Sequence, residues 1–359
     1  MDKEKSIIGY WISEKKQQKL NWKEFKNICE QKGFVLKKIN LDGNLDSQGP
    51  FHVFLHKLTD TLALAERGDQ NAKRIVTKAQ EYLYQHPEMI LIDPFENVKN
   101  LNNRQQSYLM LHKEIKSSDI FISDIFVPKT IQLKSENADE NLKSLRSADI
   151  RFPFISKPLF AHGSSDAHKM MIIFNEKDLM DCQLPCVAQD FINHNAVLHK
   201  VFIVGKYFHV VERPSLRNFY PIDCEQLSTL FFSSHDISKS GSKSQWSVIS
   251  KEDKALRIEP NHEIIQYIVA KVTKIFGLTL LGIDVVIENH TGKYAIIDVN
   301  VFPGYDGYPH FFTHLIDTIT NFITERRVNH NLDCSILKKC NEELDSGFES
   351  DDKKKKPIK

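Results

Sequence analysis

Two aspartates near the carboxyl end, Asp284 and Asp298, stand in the apolar strand-forming runs LLGIDVVI and YAIIDVN, joined by the polar turn ENHTGK. A hairpin turning about Thr291 sets the two carboxylates opposite each other on one face. Side chains two apart along a strand point the same way, so Asn300 joins Asp298 there while Ile297 and Val299 point to the other face. Facing carboxylates repel unless a cation lies between them. Two carboxylates and an amide oxygen suit Mg²⁺ whose shell is completed by substrate phosphates. A second group is Lys157 followed by the loop HGSSDAH, His162 to His168, whose N–H groups near Gly163 and small hydroxyl residues suit phosphate, although alone it reads as an ordinary turn. The chemistry indicated is metal-assisted handling of phosphate groups. No G-x-x-x-x-G-K-[ST] occurs, which argues against a P-loop kinase, and no G-x-G-x-x-G, so a dinucleotide site is not supported.

The elements that must position these groups follow from periodicity. Strand IIGYWI, a helical stretch with Trp22, Phe25, Ile28 and Cys29 stopped by Gly33, and FVLKKINLD make a βαβ opening. FHVFLHKL (Phe51 to Leu58) is a further strand, and one long helix is predicted from Ala63 to His86, ending at Pro87. Residues 1–100 thus read as a small α/β domain. Strands predominate afterwards: FPFISK, KMMIIF, CVAQDFI, and LHKVFIVG with KYFHVVERP flanking Gly205 and Lys206 as a hairpin. The polar stretch Ser233 to Ser250 is a loop over a site or a surface connection. A helix runs from the N-cap Asn261 to Phe276, with Gly277 as its stop. The apolar segment Phe311 to Ile323 comes last. Residues 101–330 form the second domain, in halves of about 101–200 and 201–330, and 331–359 are too poor in apolar residues to order themselves.

The 359 residues allow two or three packed units, with 41% hydrophobic and 26% charged residues excluding global disorder. With 48 Lys+Arg against 47 Asp+Glu, a net charge of +1 gives no bulk attraction to nucleic acid or membrane, so any anion site is local. No run approaches the ~18 apolar residues of a membrane span, and the start lacks a signal peptide's apolar stretch, which predicts a cytoplasmic protein. The tail KKKKPIK has the composition of a basic nuclear-import signal or of a solvated terminus. Cys29, Cys182, Cys186, Cys224, Cys334 and Cys340 form no CxxC pair and read as buried or idle thiols.

The chain resembles the inositol tetrakisphosphate 1-kinases, also called inositol 1,3,4-trisphosphate 5/6-kinases, from about Ile7 to Ile323. The resemblance is carried, in family order, by GYWISEKK, HKLTD, RFPFISK with AHGSSDAH, CVAQDFINHNAVLHKVFIVG, ERPSLRNF, FFSSHDISK, GIDVVI and IIDVNVFPGYDG. It implies an ATP-grasp fold in two α+β halves behind the N-terminal α/β domain. It also implies an inositol polyphosphate kinase using ATP and Mg²⁺, with two ions expected. The acceptors implied are inositol 3,4,5,6-tetrakisphosphate at the 1-position and inositol 1,3,4-trisphosphate at the 5- or 6-position, with phosphotransferase or isomerase activity as an added property. The implied partners are small molecules, and the implied state is a monomer.

Residue by residue, the resemblance puts Arg104 and Lys157 near the ATP phosphates, an adenine hinge at Gln189, Asp190, Phe191 and Ile192, and Ser215, Ser234 and Ser238 near the nucleotide. It makes Asp284, Asp298 and Asn300 the magnesium ligands. Lys16, Lys57, His168, Lys200 and Asn300 fall around the inositol phosphate, with Lys200, His168 and Arg213 at the reacting groups. The family's two loop histidines are one residue closer together than in AHGSSDAH, so His162 stands beside His168 as a candidate. Polyphosphate recognition needs several cations converging from separate segments, which this cast supplies. Two other readings remain: an ATP-grasp carboxylate-amine ligase, separable by its substrates, and a non-catalytic inositol phosphate sensor.

Overall fold

The computed structural model describes residues 5–18, 20–115, 124–249, 258–326 and 328, so the basic tail lies outside the described residues. Its first unit is a parallel sheet. β1 (Ser6–Trp11) lies between β2 (Phe34–Lys38) and β3 (Val53–His56), and β4 (Ile90–Ile92) adds beyond β3. α1 (Glu14–Gln17) and α2 (Trp22–Gln31) connect β1 to β2, and α2 buries Phe25 and Cys29 as their spacing predicts. β3 is buried along its whole length, as expected of a strand covered on both faces. Because β1 has a neighbour on each side, the crevice past the carboxyl ends of β1 and β3 is the sheet's switch point, where open parallel sheets bind ligands. Lys16 in α1 and Lys57 just past β3 are delivered there.

The single helix expected over Ala63 to His86 is instead α3 (Thr59–Glu66) and α4 (Gln70–Gln85). Gly68, at φ 98°, ends the first, and Asp69 caps the second by accepting from the Ala72 N–H at 2.8 Å. The earlier start brings Asp60 into the first turn of α3. α5 (Phe95–Lys99) and α6 (Arg104–Ile115) follow; α6 buries Arg104, Ser107, Tyr108 and Leu111. Two of the four residues on that face, Arg104 and Ser107, are polar and the apolar Leu109 is exposed, so apolar periodicity alone does not reveal it.

Two five-stranded sheets form the rest. In one, β6 (Thr130–Leu133), β7 (Phe154–Pro158), β8 (Lys169–Ile173), β9 (Cys186–Asp190) and β12 (Leu230–Ser233) run antiparallel in the order β12-β8-β7-β9-β6. α7 (Ala138–Ser147) covers its back, with Leu145 in one core with Phe154, Met171 and Ile173. In the other, β5 (Ile125–Phe126), β10 (Val197–Val204), β11 (Tyr207–Pro214), β13 (Leu280–Ile287) and β14 (Tyr294–Val301) follow the order β11-β10-β13-β14-β5. α8 (Pro221–Gln226) and α9 (Ser234–Ile237) are short connectors.

α10 (His262–Phe276) has the expected caps: Asn261 accepts from the Glu263 and Ile264 N–H groups, and Gly277 is left-handed at φ 59°. Its Ile265, Ile268, Val272 and Phe276 share a core with Val201, Ile203, Ile283 and Val285 from the back of the second sheet, and α11 (311–326) adds Leu315, Ile316 and Ile319. That burial fixes which face of β10, β13 and β14 is left for chemistry. Among the described residues no helix is long and apolar enough to cross a membrane.

Candidate active site

Asp284 on β13 is directly opposite Asp298 on β14, and on its other side opposite Lys200 on β10. The route differs from the expected symmetric turn. Nearest the turn, Ile287 faces Tyr294 and Val285 faces Ile296, which centres the hairpin between His290 and Thr291. Ile297 is then skipped in a β-bulge, and only that extra residue brings Asp298 rather than Ile297 across from Asp284. Without it Asp298 would point into the α10 core. Asn300 shares the face, its Nδ2 lying 3.5 Å from Asp298 Oδ2. Lys200 Nζ is 2.6 Å from Asp284 Oδ1, with both side chains largely buried. Opposed residues in an antiparallel pair share a face, so Arg213, opposite Leu198 and thus in line with Lys200, belongs to the same surface. The Arg213 guanidinium donates to the Asp306 carboxylate at 2.7 Å and to its carbonyl at 2.6 Å.

Lys157 comes to this surface from the other sheet. Its Nζ donates to the Ile297 carbonyl at 2.7 Å and to the Tyr108 hydroxyl at 3.0 Å, and Tyr108 in turn donates to the same carbonyl at 2.9 Å. Burial lowers the Lys157 pKa to about 8, opposed by Asp298 and Asp284 and assisted by Arg104. Burial, reinforced by Asp298, holds the Tyr108 hydroxyl well above the ordinary tyrosine range, so it stays a neutral donor. Gln189, paired with Ile155 two residues from Lys157, is buried on the same face. Arg104 is buried too, and spends its guanidinium on the carbonyls of Pro158 at 2.6 Å, Phe160 at 3.3 Å and Ala167 at 3.0 Å, leaving Nε without a partner among the described residues. It thereby pins the loop after β7 and adds a fixed positive charge.

Toward the turn of the hairpin the same surface becomes apolar, with Leu198, Val286 and Ala295 packed by Phe126, Ile192 and Ile297. Together they make an apolar floor whose partly exposed side chains, Phe126, Ile192 and Ile297, suit a flat ring beside the charged end. Of the predicted hinge, Asp190 is half-buried with its pKa raised to about 6 by burial, against the pull of Lys129. Phe191 turns instead to Phe219, at 5.2 Å between ring centroids. Ser215 is buried against His194, while Ser234 and Ser238 bracket α9, where the Ser238 N–H donates to the Ser234 carbonyl at 3.1 Å. The polar stretch from Ser233 carries Trp246, whose carbonyl accepts from the Arg217 N–H, so part of it is tied down.

A cluster of cations lies at the switch point of the first sheet. Lys16 Nζ is 3.0 Å from Asp60 Oδ2, and Asp60 Oδ1 accepts from the Gly163 N–H at 3.2 Å, joining the N-terminal unit to the loop HGSSDAH. Burial pushes the Asp60 carboxyl up, but Lys16, the Gly163 N–H and His162 outweigh it and leave the pKa lowered. Lys57 Nζ donates to the Phe302 carbonyl and stands 4.9 Å over the Phe302 ring. The Phe302 to Pro303 turn lies on Gly282, where a Cβ would come within 2.9 Å of Pro303. His162 is lowered to about 4, mainly by burial, within the fields of Asp60, Arg104, Lys16 and Lys57, and its Nε2 has no partner among the described residues. His168 packs against His235 with ring centroids 3.9 Å apart and planes tilted by 50°, and is also lowered to about 4, by burial and then His235 and Arg104. The two histidines therefore keep different company: His162 joins the lysines and His168 faces α9. Sequence reasoning missed Tyr108, His235, Asp60 and Asp306, although Asp60, His235 and Asp306 lie within the HKLTD, FFSSHDISK and PGYDG segments.

The donor set fits Mg²⁺. Asp284, Asp298 and Asn300 offer hard oxygens on one face, and among the described residues no group of three His, Cys, Asp or Glu side chains forms a closed cage. An ion with two carboxylates and shared phosphates is the usual arrangement for this metal.

Residues 7–98 match the inositol 1,3,4-trisphosphate 5/6-kinase pre-ATP-grasp domain, and residues 122–321 match the ATP-grasp domain of the same kinases. The chain is 40% identical over 333 residues to an inositol-tetrakisphosphate 1-kinase of Danio rerio, covering 92% of this chain and 82% of that one. With the Xenopus laevis inositol-tetrakisphosphate 1-kinase the identity is 39% over 318 residues, 88% of this chain and 78% of the other. Among solved structures, a D-cycloserine synthetase superposes with a TM-score of 0.55 at 12% identity, covering 89% of this chain and 100% of that one. The D-alanine–D-alanine ligase of Bacillus anthracis complexed with ATP gives 0.53 at 14%, covering 91% and 100%. At such identity these two speak for the fold alone, which is ATP-grasp.

Proposed function

The chain belongs to the inositol 1,3,4-trisphosphate 5/6-kinase family and is an ATP-dependent inositol phosphate kinase, and within that activity we propose transfer of the γ-phosphoryl group to the 1-hydroxyl of inositol 3,4,5,6-tetrakisphosphate and to the 5- or 6-hydroxyl of inositol 1,3,4-trisphosphate. The observation that carries the site reading is the rung Lys200, Asp284, Asp298 facing the buried Lys157.

In this reading Phe126, Ile192 and Ile297, packed over Leu198, Val286 and Ala295, take the adenine, and Lys157 holds a phosphate of ATP. Arg104 acts through the loop it pins. Mg²⁺ held by Asp284, Asp298 and Asn300 supplies the charge that neutralises the nucleotide's phosphates. Lys16, Lys57 and the loop histidines hold phosphates of the acceptor, so that one ring hydroxyl points at the γ-phosphorus. Lys200, exchanging Asp284 for phosphate oxygen, and Arg213 stabilise negative charge on the transferring group. Phosphoryl transfer of this kind asks chiefly for positioning and charge neutralisation, and the hydroxyl proton leaves late, so no strong base is required.

The test is chromatographic product analysis with ATP, Mg²⁺ and a panel of inositol phosphate isomers. A product phosphorylated at the 1-position of the tetrakisphosphate is expected. ATP consumption with amino acids and none with inositol phosphates would favour a ligase, and the converging Lys16 and Lys57 favour the kinase.

A further inference from the structure

The loop after β9 is laced to the segment after β11 by side-chain amides. Asn193 Nδ2 donates to the Phe219 carbonyl and its Oδ1 accepts from the Phe219 N–H, both at 2.9 Å. Asn218 Oδ1 accepts from the Asn195 N–H and its Nδ2 donates to Asn195 Oδ1, again at 2.9 Å. The Ser215 N–H donates to the Ala196 carbonyl at 2.8 Å. His194 is held inside this frame with 6% of its surface exposed.

The ring of His194 has a partner on each nitrogen: the Ile192 carbonyl lies 2.5 Å from Nδ1, and Ser215 Oγ lies 2.7 Å from Nε2. A carbonyl oxygen only accepts, so Nδ1 carries the proton. Burial lowers the ring's pKa to about 4 against the pull of the Ile192 carbonyl, and His199 lowers it further; no carboxylate is among the groups that perturb it. A neutral imidazole has one N–H, so Nε2 is bare and accepts. The Ser215 hydroxyl has one hydrogen, and it goes to His194. What remains at Oγ is lone pairs.

We propose that His194 is a positioning residue that fixes Ser215 as a pure hydrogen-bond acceptor, so that Ser215 receives a donor of the nucleoside, a sugar hydroxyl or the exocyclic amine, and never a phosphate oxygen. This rests on the reading that places Ser215 at the nucleotide. Ionised phosphate oxygens have no hydrogen to give and would meet Oγ lone pair against lone pair. The register agrees. Moving along β10 from Lys200 at the carboxylates, the chain reaches Leu198 in the apolar floor and then Val197, whose partner Pro214 directly precedes Ser215. Ser215 therefore stands at the end of the surface farthest from Asp284.

Two measurements on the full chain test the proposal. The first is the ¹⁵N spectrum of histidine-labelled enzyme near pH 7 without ligand, with the His194 signals assigned by their loss in His194→Asn, or by their shift in Ser215→Ala should the former fail to fold. A neutral ring protonated on Nδ1 is expected; protonation on Nε2 or an imidazolium overturns the proposal. The second is steady-state kinetics with ATP, 2′-deoxy-ATP, 3′-deoxy-ATP and the purine riboside triphosphate that lacks the amine. Ser215→Ala is expected to raise the KM for ATP about tenfold with kcat changed by less than about twofold, the size of one hydrogen bond between neutral groups. One of the three analogues should show the same loss with the unsubstituted enzyme and no further loss with Ser215→Ala, which also says which donor Ser215 receives. His194→Asn should reproduce the loss of discrimination, and His194→Gln, whose Oε1 can take the place of Nε2, should restore it. Equal discrimination among analogues before and after Ser215→Ala overturns the role. So does absence of nucleotide binding, a failure of the ATP reading that the ligand-free spectrum distinguishes from a wrong tautomer.

Discussion

Lys157 Nζ lies 2.7 Å from the carbonyl oxygen of Ile297, the residue bulged out of the hairpin that carries Asp284 and Asp298. The bulge thus has two effects: it sets the carboxylates in register, and it turns a carbonyl out of the ladder to hold a lysine from the opposite sheet. Tyr108 donates to the same oxygen at 2.9 Å, so the carbonyl stays satisfied if the lysine is removed. Lys157→Met is therefore expected to cut kcat/KM for ATP by roughly 10²- to 10³-fold, the usual cost of one preorganised donor. Thermal unfolding without nucleotide should stay unchanged or rise, because a desolvated cation is replaced by an apolar chain. Kinetics with ATP and a melting curve check this; a large fall in Tm with preserved kinetics would make Lys157 structural.

Lys200 Nζ and Asp284 Oδ1 are paired at 2.6 Å, which makes the lysine a competitor for a predicted magnesium ligand. Lys200→Met should cut kcat/KM for the inositol phosphate at least about tenfold, as expected for a lost contact to a charged group. Half-saturating Mg²⁺ should stay level or fall. Asp298→Asn should do the reverse, raising half-saturating Mg²⁺ by about tenfold or more. Magnesium titrations of the initial rate for the two variants decide the matter, and a raised Mg²⁺ requirement in Lys200→Met would contradict the pairing argument.

Much of this site was legible because strands alternate. LLGIDVVI and YAIIDVN put two acids among apolar residues, and period two then dictates that Asp298 and Asn300 share a face. The bulge was not legible: nothing in YAIIDVN marks Ile297 as the residue to be skipped, and the symmetric turn about Thr291 reached the right opposition by a different route. α6 escaped because half of its one buried face, Arg104 and Ser107, is polar while the apolar Leu109 is exposed, so Tyr108 and Leu111 make no apolar stripe. The break between α3 and α4 was readable in Gly68 and Asp69 but yielded to the apolar run around it. Asp60 and His235 could not be placed by local pattern, because their partners Lys16 and His168 are brought to them by tertiary packing.

His162 and His168 should separate kinetically. His162 lies within the fields of Lys16, Lys57 and Asp60, whereas the His168 ring packs against His235 in the helix bracketed by Ser234 and Ser238. His162→Ala is expected to raise the KM for the inositol phosphate about tenfold while leaving the KM for ATP within about twofold, the scale of one lost hydrogen bond in a pocket that keeps its lysines. His168→Ala should lower kcat, and His235→Ala should reproduce part of that loss. Measuring both KM values and kcat for the three variants tests the division, which fails if His162→Ala changes only the KM for ATP.

Buried neutral histidines should set the acid limit of the fold. His56 and His194 are each held near a pKa of about 4, mainly by burial, partly offset by the Asp93 and Ile192 carbonyls respectively. Unfolded, both return to about 6.5. Between these values the unfolded chain binds a proton that the folded chain refuses, so stability rises with pH across that window and is lost as pH falls from about 6.5 toward 4. Each fully coupled histidine contributes a slope of up to about 1.4 kcal/mol per pH unit. Ordinary carboxylates add their own loss only nearer pH 4. Urea unfolding at half-unit steps from pH 7.5 to 4.5, without ligand, should therefore show a plateau above about 7 and a decline beginning near 6.5. Constant stability down to pH 5 would mean that these rings accept protons in the folded state.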